Sequence, residues 1–219
     1  MLTVHHLNGS RSQRVLWLLE ELGVPYEIVK YERDPKTDLA PPELDKIHPL
    51  GKSPVITDGD VTIAESAAIL EYIVEKYGNG KMQPPKDTPN HRRYRYFMHY
   101  AEGSLMPFLL LRLITSKLKR TPFLVRPIAK AIAGKLEGSY VAPNLDRHVA
   151  FLASELGTRD YFAGGEITAA DIQMSFPMEA LALRVKDVPD AIKAWVTRMH
   201  ERPAFKKAVE RGGPYDLMT

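Results

Sequence analysis

Cysteine is missing altogether from the 219 residues. Its absence removes disulfides, thiolate metal ligands and any nucleophile or redox centre built on the chain's own sulfur, so sulfur chemistry has to arrive with a ligand. Long apolar runs are missing too. The longest, Leu105 to Leu111, is far short of the roughly 20 residues that a helical membrane span requires. The opening residues MLTVHHLNGSRSQR show no basic stretch followed by a long apolar one, which points to a cytoplasmic location. An excess of charge of one sign is lacking as well: 30 Lys and Arg against 27 Asp and Glu leave +3, too little to demand a polyanionic partner, and neither nucleic acid nor a metal is expected. Hydrophobic residues at 44% and charged ones at 26% are ordinary globular values, which excludes a disordered tail.

The charge is unevenly spread. Between Gly103 and Leu136 there is no acidic residue, while Arg112, Lys117, Lys119, Arg120, Arg126, Lys130 and Lys135 are basic, so the rest of the chain is slightly acidic. The segment has little aromatic interleaving beyond Phe108 and Phe123.

The periodicity changes along the chain, from alternating strand-like and helix-like patterns to helix after helix, so two units of different class are expected: α/β, then all-α. The break falls in YGNGKMQPPKDTP, Tyr77 to Pro89, whose two Gly and three Pro forbid a continuous helix. This gives residues 1–78, a linker at 79–89, and 90–219. In the first unit, Leu2 to His6 reads as a strand, and Val15, Leu18, Leu19 and Leu22 mark a helix ended by Gly23. Tyr26 to Tyr31 is a second strand, and a loop or short helix with Pro35, Pro41 and Pro42 follows. Ser53 to Thr57 and Val61 to Ile63 form a hairpin around Asp58-Gly59-Asp60, and Ile69, Tyr72, Ile73 and Tyr77 mark another helix. The second unit offers helices from His91 to Leu118, Leu136 to Gly157, Thr168 to Val185 and Pro189 to Arg202, and a short one after Pro203. No internal repeat is evident.

Three motifs carry more information. Thr168-Ala169-Ala170-Asp171 is a capping box, which taken alone says only that a helix starts there. In Gly51-Lys52-Ser53-Pro54 a proline heads a strand, where it withholds no ladder hydrogen bond and its peptide bond can be cis. Glu65 and Ser66 open a helix, bringing a carboxylate, a hydroxyl and free backbone N–H groups to one spot suited to an amino-acid head group; they also read as ordinary first-turn residues.

With NGSRSQRV after the first strand, HPLGKSPVI, the Glu65-Ser66 pair after DGDVTIAES, and ITAADI in the second unit, the chain resembles the glutathione transferase family over essentially its whole length. The nearest look is to the soluble bacterial and fungal enzymes of theta and delta-like, serine-using type, because a serine lies in the turn after the first strand. The resemblance implies a thioredoxin-like N-terminal domain and an all-helical C-terminal domain. It also implies a homodimer, glutathione as co-substrate, and attack of its thiolate on a hydrophobic electrophile by conjugation or peroxidase chemistry. The alternative is a non-catalytic binding or assembly module of the same fold.

A thiol near pKa 8.5 is only a few per cent thiolate at neutral pH. A hydroxyl donating to the anion is worth roughly 1.5 to 3 kcal/mol, or one to two pKa units. Ser10 is the first candidate for that donor and Ser12 the second; if Ser12 faces the ligand, Ser10 becomes a helix cap, and both could serve only as caps. Tyrosine-using relatives place their Tyr near His5 and His6, and the Cys of other types is absent. By resemblance, Lys52 meets the glycine carboxylate of glutathione, Ser53 pairs with its cysteinyl backbone, and Glu65 and Ser66 hold its γ-glutamyl head. Glu102, on the first long helix, would reach the γ-glutamyl amine of the partner subunit, as acidic residues there do in relatives. Tyr100, Met106 and Phe108 on the first long helix are candidates for the electrophile's apolar site, although such a stripe is more often core. Apolar faces left on that helix and on the Glu65 to Tyr77 helix are the reason for expecting a dimer.

Overall fold

The computed structural model describes residues 1–119, 121–213 and 215; Arg120 of the basic segment lies outside the described residues. The N-terminal unit is a four-stranded sheet of β1 (Leu2–Leu7), β2 (Glu27–Tyr31), β3 (Val55–Asp58) and β4 (Val61–Ala64) in the order β2-β1-β3-β4. β1 pairs parallel with β2 through the crossover helix α1 (Gln13–Leu22), and antiparallel with β3, which forms the expected hairpin with β4. Gly23 takes the left-handed conformation that ends α1, with φ 67°. A 3-10 turn, Pro42–Lys46, punctuates the polar loop, and α2 (Ser66–Tyr77) follows the hairpin. Asp58 ties that hairpin to α2: its carboxylate accepts from Lys76, Tyr72 and Tyr77.

The helical unit runs through α3 (Pro89–Tyr100), α4 (Met106–Leu118), α5 (Arg126–Leu136), α6 (Ala142–Leu156), α7 (Ala169–Arg184), α8 (Asp190–Glu201) and α9 (Pro203–Gly212). Two departures from the sequence reading each involve a π turn. The helix from the linker to Leu118 is not uniform but widens into a π turn at Ala101–Leu105, and the next long helix starts ten residues earlier than expected, at Arg126, with a second π turn at Glu137–Val141. Each π turn contains Glu-Gly-Ser and leads into a proline, Pro107 or Pro143. A proline ring crowds the carbonyl four residues back and cannot donate, and a widened turn relieves both conflicts. The echo of EGSLMP in EGSYVAP is the sequence signal for it.

α7 forms the axis of the molecule, with every side chain from Ala169 to Leu181 buried. It contacts α1 and α2 of the first unit as well as α3, α4 and α8, and one continuous apolar core spans both units. The helix runs through Pro177 and ends at Arg184. Its capping box forms: the fully buried Asp171 carboxylate accepts from the N–H and the hydroxyl of Thr168, at 2.8 and 2.9 Å, and from the N–H of Phe162 at 2.8 Å. α9 closes the structure on the back of α1, where the buried Glu20 takes Arg211 and Lys207, both at 2.7 Å, and Trp17 meets Phe205 edge-on. The outward faces of α2 and α3 are mostly polar, with Glu75, Arg92, Arg95 and His99 exposed and Tyr96 the large exposed ring among them.

Asp171→Ala strands two buried backbone donors and should lower stability by about 3 kcal/mol, whereas Thr168→Ala, which removes the hydroxyl of the box but leaves the carboxylate on both N–H groups, should cost less than half as much. Chemical denaturation of both variants measures the two values; equal losses would contradict the assignment of Asp171 as the hub.

Candidate active site

The C-terminal end of β1 gathers four segments. Beyond Leu7 the chain turns through Asn8-Gly9-Ser10-Arg11 into α1. Ser12, just before α1, caps no helix N–H. Its Oγ lies 2.8 Å from His6 Nδ1, 2.8 Å from Ser10 Oγ and 3.2 Å from the Leu7 carbonyl oxygen, while Ser10 Oγ accepts the Ser12 N–H at 3.2 Å. Ser12 is wholly enclosed and Ser10 is 5% exposed. His6 is buried, and burial, followed by the nearby Lys30, pushes its imidazole down to about 4, so the ring is neutral with a single N–H proton at neutral pH. Strand alternation turns His5 to the other side of the sheet, where its ring approaches Tyr31 of β2 and Thr57 of β3.

Beside Leu7 sits Ser53, followed by the cis Ser53–Pro54 bond. The Ser53 hydroxyl donates to the His5 carbonyl at 2.8 Å and accepts the Leu7 N–H at 3.2 Å, stitching this loop to β1. No backbone partner for the N–H or C=O of Ser53 is found among the described residues. Lys52 is exposed, with no carboxylate in ion-pairing range among the described residues. Gly51, at φ +56°, takes the left-handed conformation that favours glycine.

Glu65 heads α2 with φ 72° and ψ 117°, a costly conformation for a residue with a Cβ. Its carboxylate is exposed and has no hydrogen-bond or ion-pair partner among the described residues. Ser66 is buried, and its Oγ accepts from Arg14 and from Gln173, each at 3.2 Å. With both lone pairs used, its one hydroxyl proton is left to donate.

Beneath these groups lies Arg14, whose side chain is 1% exposed. It donates to Ser66, to Gln173 Oε1 at 2.8 Å and to Glu102 Oε1 at 2.7 Å; Arg11 Nε grips both Glu102 oxygens at 3.0 Å. Both guanidiniums lie over the Phe176 ring, at 4.9 and 5.1 Å. Burial alone would raise the Glu102 carboxyl, but Arg14 and Arg11 outweigh it and hold it below its ordinary value. Within the chain, Glu102 is thus the shared partner of Arg11 and Arg14. Arg11, Arg14, Gln173 and Phe176 went unnoticed as site residues in the sequence; the only local signal was the Glu-Gly-Ser-to-proline pattern that places Glu102 on a π turn.

Tyr100 and Met106 lie in the core, each 6% exposed, and the Tyr100 hydroxyl is held 2.5 Å from His148 Nδ1. Phe108 is half-buried against the rings of Tyr140 and His148. Among the described residues no cluster of three or more His, Asp or Glu side chains could hold a metal.

Comparison with known proteins bears on this geometry. Residues 1–75 match the family model of the glutathione S-transferase N-terminal domain, and residues 118–203 that of the C-terminal domain. The chain is 39% identical to glutathione S-transferase 3 of Schizosaccharomyces pombe, covering 96% of this chain and 88% of that one. It is 33% identical to glutathione S-transferase 1 of Saccharomyces cerevisiae, covering 96% and 95%. A glutathione S-transferase structure from Actinobacillus pleuropneumoniae superposes with a TM-score of 0.79 at 29% identity, over 99% of this chain and 95% of that one. The structure of URE2P8 from Phanerochaete chrysosporium with oxidized glutathione shares the fold, with a TM-score of 0.75 at 21% identity over 96% and 94%.

The buried imidazole gives the site a pH signature. A folded-state pKa of about 4 lies below the unfolded value near 6.5, so the unfolded chain binds the proton more tightly. Stability should fall as the pH drops from about 6.5 to about 4, by up to about 3 kcal/mol from this one group. Denaturation of wild type and His6→Gln across that interval tests this: the variant's profile should be flatter, and parallel profiles would count against it.

Proposed function

Since the chain belongs to the glutathione S-transferase family and its activity is glutathione transfer, we propose that it is a serine-type, theta or delta-like enzyme in which the Ser10 hydroxyl stabilises the glutathione thiolate. The observation that carries this reading is the hydroxyl chain His6–Ser12–Ser10 at the turn after β1. Each hydroxyl owns one proton. If the neutral His6 ring donates from Nδ1 to Ser12 Oγ, and Ser12 directs its one proton mainly to Ser10 Oγ at 2.8 Å, with the Leu7 carbonyl at 3.2 Å as the weaker branch, then Ser10 accepts from the N–H and the O–H of Ser12 and keeps its own proton for an outside acceptor. A thiolate at that position would receive a charge-assisted bond from a donor fixed before the substrate arrives. Ser12, enclosed between His6 and Leu7, fits the orienting role rather than the donor role.

The remaining polar groups fit the ends of the tripeptide. In this reading, Lys52 neutralises the glycine carboxylate, the free backbone of Ser53 pairs with the cysteinyl unit, and Ser66 donates its remaining proton to the γ-glutamyl carboxylate at the α2 N-terminus. Glu65, unpaired and held in a strained conformation, takes the amine. Residues 1–78 thus form the glutathione-binding unit, joined by 79–89 to the helical unit of 90–219. The electrophile binds on the helical side, where Phe108 is the one of the three candidate side chains that is not in the core.

A homodimer also belongs to this reading. Glu71 and Glu75 of α2 share a groove with Arg92 and Arg95 of α3, so this face carries both signs of charge and offers a second copy groups of the opposite sign. Light scattering should give about twice the chain mass, and a monomer that still conjugates glutathione at full rate would overturn this part.

Ser10→Ala should raise the pKa of the bound thiol by about one to two units and lower turnover roughly tenfold to a hundredfold, with glutathione affinity little changed. Ser12→Ala should give a smaller shift, because Ser10 keeps its proton. Thiolate absorbance against pH measures both. A titration unmoved by Ser10→Ala but shifted by Ser12→Ala would exchange the two roles.

A further inference from the structure

The stretch from Thr121 to Leu136 is the part of the molecule least explained by its own packing. In α5, Ala133 is fully buried, with Ala129 and Leu136 half-buried beside it, while Ile128 and Ile132, one turn apart, are 67% and 61% exposed. The apolar stripe of the helix is therefore wider than the contact it makes. The loop leading into it adds Phe123 and Leu124, 81% and 88% exposed, and the adjoining α4 leaves Leu110, Ile114 and Leu118, spaced four residues apart, partly in solvent. Isolated apolar residues on a surface need no explanation, but a run on consecutive elements does.

The charge on these elements identifies the occupant. Lys117, Lys119, Arg126, Lys130 and Lys135 have no carboxylate in ion-pairing range among the described residues; Arg112 alone of the described cations here is paired, with Glu137. With no acidic residue from Gly103 to Leu136, a second copy of this surface would bring like charges together. Nucleic acid would account for the cations but not for aliphatic side chains in place of stacking aromatics. An anionic bilayer accounts for both, since cations meet headgroups while Phe, Leu and Ile enter the acyl boundary. No helix among the described residues is long and apolar enough to cross a membrane, so the contact is with one leaflet.

We propose that the Thr121–Leu136 segment, with the outer row of α4, is a peripheral docking surface for anionic phospholipid membranes. It presents the enzyme to a phase in which apolar electrophiles concentrate.

The test is sedimentation of the full-length protein with vesicles of phosphatidylcholine alone, or of phosphatidylcholine containing about one-third phosphatidylserine. Binding should require phosphatidylserine and fall steeply with added salt. Lys130→Glu should weaken it by roughly fivefold or more. The double variant Phe123→Ser and Leu124→Ser should also weaken it, and both proteins should keep the wild-type rate of glutathione conjugation in vesicle-free buffer. Equal binding to both vesicle types, or binding to neither, would overturn the proposal. So would tighter binding to mixed-sequence duplex DNA or single-stranded RNA than to the anionic vesicles. A lower molar mass by light scattering for the Phe123/Leu124 variant would assign the patch to a second copy of the chain instead.

Discussion

The constraint on which the site depends is the burial of one guanidinium. Arg14 enters from α1 and meets Ser66 at the head of α2, Glu102 on the first π turn and Gln173 on α7, so groups from both units converge on one cation. A charge so enclosed is tolerated only because its partners are in place, and removing one member of such a set typically costs about 3–5 kcal/mol. The penalty works as a positioning device: the α2 N-terminus, the π turn and α7 cannot drift from α1 without exposing an uncompensated charge. Arg14 Nε has no partner among the described residues, so the network is not saturated even so.

This clarifies why the helical unit carries π turns. A regular helix through residues 101–105 would carry Pro107 into the carbonyl of Gly103 and rotate Glu102 relative to α1. The extra residue in the turn relieves the clash and leaves Glu102 where Arg11 and Arg14 reach it. At the second π turn, Glu137 is held by Arg112 and by the buried Thr115. One local solution is used twice, once to build the site and once to join α4 to the helix after it.

What the sequence revealed divides along the range of the interactions. Strands, α1, α2, the hairpin at Gly59 and the box at Thr168 were legible because period, turn residues and caps act within a few positions. The start of α5 was not, since its apolar stripe is only partly used and lies among cations that obscure the pattern. The cluster of Ser10, Ser53, Glu65 and Ser66 could be assembled only through the family resemblance. Arg14 with Gln173, separated by 159 positions, left no trace that one sequence could reveal. Tyr100 and Met106, both in the core, illustrate the ambiguity left open in the sequence, because helical spacing alone cannot tell a substrate-facing stripe from a core-facing one.

The electrostatics of the turn follow from the same network. Arg11 and Arg14 share one carboxylate, so the triad keeps a net positive charge, and Arg11 directly follows Ser10 in the chain. The N-terminus of α1 adds the partial positive charge of its unpaired N–H groups. An anion beside Ser10 is thus favoured by the field before any hydroxyl is counted, while the His6–Ser12–Ser10 chain ties the hydroxyls at the turn to one orientation. Charge and direction come from different residues. A hydroxyl without the field would favour the thiolate by its own hydrogen bond alone, and the field without the hydroxyl would leave the sulfur unoriented. Arg14 joins the two functions, because it places the triad under the turn and fixes the lone pairs of Ser66, so that the turn after β1 and the N-terminus of α2 are held against the same buried frame.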